Sequence, residues 1–201
     1  MLRLVGIACV VVAVTSACGA PPPPRSSGYS IAPVIAPGGE PTTMRDLGAM
    51  PTNEKGAAIC GEAPLLGVAP ATCKRLAGQA LTSGANTPAS TEAFDGDACS
   101  IWQAGGPAPR FAAVDIGPKQ VVTSVILIPE MSEKGHVKQI IESSDDGASY
   151  HTQYIVEGEM EPGHAYEVQV KQPFTAKVVR VSTMQSPTWV AWREILPLSC
   201  K

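Results

Sequence analysis

Residues 111–129 read FAAVDIGPKQVVTSVILIP, two runs of β-branched and apolar residues divided by Gly117-Pro118 and closed by Pro129. Strand-like runs recur from there to the C-terminus, at 138–143, 150–156, 165–170, 177–183 and 189–196. Between them fall turn residues: Asp145-Asp146-Gly147, Gly158, Pro162-Gly163, Pro173 and Pro187. No stretch has a helical period, and seven short strands at this spacing predict an all-β sandwich or barrel. Asp-Gly tolerates the positive φ angles of a tight type I′ turn, so Asp145 and Asp146 are read as turn residues and not as a catalytic pair.

The remainder of the chain has a different composition. Of ten aromatic residues only Tyr29 precedes residue 94, which places the core in the C-terminal two thirds of the 201 residues. Arg3 precedes an apolar run from Leu4 to Val14 that ends in Thr15-Ser16-Ala17-Cys18. A basic start, a short apolar stretch and small residues at the end form an export leader, too short to span a bilayer. Val14-Thr15-Ser16-Ala17-Cys18-Gly19 resembles a bacterial lipobox, with Thr15 where Leu is commonest. That resemblance implies cleavage before Cys18 and lipidation of Cys18, an exported protein lipid-anchored in the bacterial cell envelope. The alternative is an ordinary secretory signal cut near Ala20. Acyl chains alone would hold the chain on the membrane. Loss of residues 1–17 leaves 14 basic against 18 acidic residues, a net of −4, and no basic run for nucleic acid.

From Cys18 to residue 57 the chain is rich in Pro, Gly, Ser and Thr, beginning with Pro21-Pro22-Pro23-Pro24. Such a segment buries too little apolar surface to offset the cost of ordering it, so 18–57 reads as a disordered tether and 58–201 as the domain. The prolines as a recognition motif are the lesser alternative. Cys9 leaves with the leader, and Cys60, Cys73, Cys99 and Cys200 form an even set in an exported protein, hence two disulfides, with three pairings open. Neither C-x-x-C spacing nor His spacing indicates zinc.

Six pieces then fall in one order: Ala93-Phe94-Asp95-Gly96-Asp97 with Ser100 and Trp102; Pro109-Arg110-Phe111; Val114-Asp115-Ile116-Gly117; Lys138 and Ile140 leading to Ser143-Ser144-Asp145-Asp146-Gly147; residues 174–181, FTAKVVRV; and Ala191-Trp192-Arg193-Glu194-Ile195. Together they resemble the coagulation factor V/VIII type C, or discoidin, domain of the galactose-binding-like folds, over about 130 residues from Cys73 to Cys200. The resemblance implies an eight-stranded jelly-roll whose first strand lies near Ala80 to Ser83. It also implies that Cys73 joins Cys200 across the two ends, leaving Cys60 with Cys99; the other candidate pairs Cys60 with Cys73 and Cys99 with Cys200.

Bacterial relatives hold a structural Ca²⁺ at the Asp-Gly loop, which maps the ligands onto the Ala93 carbonyl, Asp95, Asp97, Ser100 and Glu194. The alternative is a plain Asp-Gly turn braced by a Cys99 disulfide. Carbohydrate-binding relatives use an aromatic ring and polar side chains on loops at one end of the sandwich. The candidates here are Trp102, Arg110, Glu133, His136 and Trp189. Each has a plainer reading: a core Trp, a strand-edge cap, a solvated loop residue. Trp192 and Arg193 read as structural. The apolar loop spikes of membrane-binding relatives are absent from the sequence. No G-x-S-x-G, P-loop or H-E-x-x-H motif occurs, so the expectation is a binding module and not an enzyme. Its expected partner is a carbohydrate or, alternatively, an envelope protein to which it is a scaffold.

Overall fold

The computed structural model describes residues 42–62, 65, 67, 69–81, 90–168 and 170–201. The leader, Cys18 and the tether up to residue 41 lie outside the described residues. The strands are β1 (Met44–Ala49), β2 (Cys73–Arg75), β3 (Gln79–Leu81), β4 (Trp102–Gln103), β5 (Arg110–Val122), β6 (Ser124–Glu130), β7 (Gly135–Ser144), β8 (His151–Met160), β9 (His164–Val168), β10 (Phe174–Gln185) and β11 (Ala191–Cys200). They form two antiparallel sheets of a jelly-roll sandwich. One has the order β1-β9-β6-β11-β2 with β4 also paired to β11; the other has the order β3-β5-β10-β7-β8. The eight expected strands are β3 and β5–β11, while β1, β2 and β4 are short additions to the first sheet.

Alternation fixes which side chains meet between the sheets. Ala112, Val114 and Ile116 of β5 face Val125 and Leu127 of β6 and Trp192 and Ile195 of β11, in a buried cluster that also holds Val179, Val181, Val137 and Ile141. On the opposite face of β6 and β11, Ile126, Ile128, Leu196 and Leu198 form a second buried cluster with Met50, Leu65, Ala98 and Ala165. Leu47, Met50, Leu65 and Ala69 thus cover the outer face of the first sheet.

This corrects the C-terminal limit of the tether. Within the stretch assigned to it, β1 pairs with β9 from Met44↔Val168 to Ala49↔His164, and Thr42 bridges Val156. Backbone ladder bonds and the apolar sheet face beneath order a segment whose own composition would not.

Two local readings also change. Gly117-Pro118 does not end a strand: β5 runs through it, with Gly117 at φ 86° and a register shift opposite Ala176–Val178 of β10. The reversal comes at Thr123, whose hydroxyl accepts the Cys200 N–H at 2.6 Å. The β7–β8 connection is longer than a type I′ turn, because Asp146 closes it by accepting the Ala148 and Ser149 N–H groups, each at 2.8 Å, and only Gly147 takes a positive φ. Those donors hold the Asp146 carboxyl far below the usual carboxylate range. The disulfides are Cys60–Cys99 and Cys73–Cys200, the pairing that the family resemblance implied.

Candidate functional site

At the end of the first sheet, Gln103 of β4 and Glu130 of β6 lie in register on either side of Ala191 of β11. The next pair, Trp102 and Trp192, points into the core, so the three residues Gln103, Ala191 and Glu130 face outward. A one-carbon side chain between two longer ones leaves a groove. Its floor is Ala191, its walls Gln103 and Glu130, and its rim Ser132, Thr188 and Trp189, with the buried Met131 also in the lining, around about 360 Å³.

Trp189 is 64% exposed, the most exposed large hydrophobic side chain among the described residues. The loop that carries it is fixed on both sides. Val190 donates to the Gly106 carbonyl at 3.1 Å and its own carbonyl accepts from Ala104 at 2.9 Å. Pro187 sits so close to Gly135 that a Cβ there would meet it at 2.7 Å. An indole on a braced loop beside hydroxyl, amide and carboxylate groups can stack on an apolar ring face while its neighbours take hydrogen bonds. Glu130 is held by Arg193, whose Nε lies 2.5 Å from Glu130 Oε2.

A second cluster lies in the loop after the 3-10 turn Thr91–Ala93. The Ser100 Oγ is 3.0 Å from each of three acceptors, the Glu92 carbonyl, Asp95 Oδ1 and the Asp97 carbonyl, although it has one proton to give. Glu194, 0% exposed, accepts the Gly96 N–H through Oε2 at 3.0 Å, while its Oε1 is buried without a hydrogen-bond partner. Burial pushes the Glu194 carboxyl up to about 8; the Arg75 guanidinium and the Gly96 N–H oppose the shift and the neighbouring Asp95 adds to it. Arg75 is the nearby cation, with Nη2 3.7 Å from Glu194 Oε1 and 2.6 Å from the Phe94 carbonyl.

A hydroxyl set among three oxygens, together with a buried carboxylate oxygen that has no hydrogen-bond partner, fits a hard cation such as Ca²⁺. Asp97 accepts the Gly61 and Cys99 N–H groups through Oδ1, at 2.8 and 2.9 Å, which also lower its pKa, while its carbonyl faces Ser100. Beside Ala93, the Glu92 carbonyl accepts from the Ser100 hydroxyl. Cys60, Asp97 and Cys99 also converge, but both sulfurs are spent in the disulfide and leave no thiolate for a metal.

A model of the F5/8 type C domain matches residues 77–195, more than half of the chain. The chain belongs to the F5/8 type C domain family. Among solved structures, chitosan-binding module 1 from a chitosanase/glucanase of Paenibacillus sp. IK-5 is 21% identical, with a TM-score of 0.50 over 63% of this chain and 98% of that one. CBM32-1 from a family 31 glycoside hydrolase of Clostridium perfringens is 18% identical, with a TM-score of 0.50 over 65% of this chain and 96% of that one. No curated protein matches the chain.

Of the ligand candidates in this F5/8 type C domain, only Trp189 lines the groove. Trp102 is corrected: at 1% exposure, packed in register with Trp192, its ring is core and offers no stacking face. Arg110 opens β5 and donates through Nη1 to the Pro109 carbonyl at 3.0 Å, outside the groove lining. His136 is on the other sheet, its Nε2 3.1 Å from Glu157 and its Nδ1 3.6 Å from Glu159. Glu133 is exposed in the β6–β7 connection beside the rim but does not line the groove. Gln103, Glu130, Met131, Ser132, Thr188 and Ala191 were missed by the sequence reading, since only the pairing of β4, β11 and β6 assembles them. The described residues before 77, which cover the sheet and supply Gly61, Cys60 and Arg75 to the Asp-Gly loop, lie outside the family match.

Proposed function

We propose that this protein is a non-catalytic carbohydrate-binding module that holds a sugar ring against Trp189, with Gln103, Glu130, Ser132 and Thr188 taking its hydroxyls. The observation that carries this reading is an exposed indole on a braced loop beside a polar groove. Similarity to a chitosan-binding module supports the ligand class. A glycan array with the full chain tests it. Retention on at least one glycan class is expected, and Trp189→Ala is expected to weaken it about 30-fold, since stacking and burial of an aromatic ring contribute about 2 kcal/mol. Retention on no glycan would turn the assignment to the competing reading, an envelope protein as partner.

The same proposal anchors the module through a lipid on Cys18, with residues 19–41 as the tether. The paired cysteines support an exported location. Cys18→Ser is expected to move the protein from the membrane fraction to the soluble one; unchanged partition would count against the anchor.

The Asp-Gly loop completes the proposal as a structural Ca²⁺ site, with Asp95, Ser100 and Glu194 side chains and the Glu92 and Asp97 carbonyls as donors. Bound there, the ion would neutralise the two facing carboxylates. At a hundredfold excess over its dissociation constant, Ca²⁺ would add about 3 kcal/mol, or roughly 5–10 °C of melting temperature. EGTA should remove that gain, and Glu194→Gln should abolish the response. A melting temperature indifferent to Ca²⁺ and to EGTA would contradict the site.

A further inference from the structure

The charge around the groove narrows the ligand class, an inference that rests on the Trp189 reading above. Among the described residues that line the groove, Glu130 is the one charged side chain; the others are amide, hydroxyl, thioether, methyl and indole. Two neighbouring cations are ion-paired, and Arg110, which packs against Gly106, does not line the groove. Arg193 binds Glu130 through Nε and donates through Nη1 to the Ala98 carbonyl at 3.3 Å. Lys134, in the connection that forms the rim, is bound to Glu161 at 2.6 Å. Glu133 adds a further exposed carboxylate beside Ser132.

A carboxylate or sulfate on a sugar entering this groove would lose hydration without meeting a cation in the lining, and it would approach Glu130. A hydroxyl or an ammonium group finds in Glu130 and Gln103 ready acceptors.

We propose that the groove takes neutral and amino sugars and rejects uronic-acid and sulfated glycans. The test is native affinity electrophoresis of the full chain through gels containing neutral polysaccharides (galactan, mannan, glucan), chitosan, and acidic polysaccharides (polygalacturonate, alginate). At least one neutral or amino polymer should retard the protein with an affinity about tenfold or more above either acidic polymer. Ser132→Lys, which places an uncommitted cation on the rim, should raise retardation by polygalacturonate, a gain that misfolding would not produce. Equal or stronger retardation by the acidic polymers, lost in Trp189→Ala, would overturn the charge preference and leave the groove assignment standing. Retardation by none of the polymers, or retardation untouched by Trp189→Ala, would overturn the groove assignment itself and the preference with it.

Discussion

A chain that begins at residue 70 is expected to aggregate or melt far below the full-length protein, although it keeps the whole of the family-matched region. The cause lies on the outer face of β6 and β11, where Ile126, Ile128, Leu196 and Leu198 are buried under Met50, Leu65 and their neighbours. Re-exposing a Leu or Ile side chain costs about 1.5–3 kcal/mol, and four together approach the entire stability of an ordinary domain. The truncation also removes Cys60, and with it the disulfide to Cys99. A point substitution isolates the packing part: Leu65→Ala should cost about 3 kcal/mol in urea unfolding. A truncated chain that melts within a few degrees of the full chain would show that the covering segment is dispensable.

The second large effect belongs to Cys73–Cys200, which links residues 127 apart in sequence. In the chain-entropy model, closing so long a loop in the unfolded state is worth about 5 kcal/mol. The bridge also ties β2 to the end of β11, where both cysteines pack against the second core. Cys73→Ser with Cys200→Ser should therefore lower unfolding free energy by about 4–5 kcal/mol, read by urea titration of the double variant. A loss below about 1 kcal/mol would mean that strand pairing alone holds the ends together.

The covering segment left a trace in the sequence. Val125-Ile126-Leu127-Ile128 is continuously apolar, where a strand with one wet face would alternate, and such a run demands cover on both sides. The strand is legible, but its cover in a Pro-rich stretch is not, because β1 joins β9 largely through backbone bonds that composition does not reveal. The jelly-roll was legible because its turns and ordered motifs are local. The groove was not, since its walls come from three strands distant in sequence whose register is a tertiary fact. Trp102 and Trp189 illustrate the limit: one is opposite Trp192 in a paired strand and buried, the other is on a loop and exposed, yet the residue type is the same. At Asp97 the sequence shows a carboxylate, while the backbone turns a carbonyl toward Ser100.

The claim that Trp189 is a sugar platform can be read from its own fluorescence. Trp102 and Trp192 are each 1% exposed and Trp189 is 64% exposed, so acrylamide quenching of the free protein reports chiefly on Trp189. Saturation with a glycan that the protein retains should shift the emission to the blue and protect that quenchable fraction, and Trp189→Ala should lack both the fraction and the retention. Retention on the glycan with quenching unchanged, or undiminished in Trp189→Ala, would contradict the account.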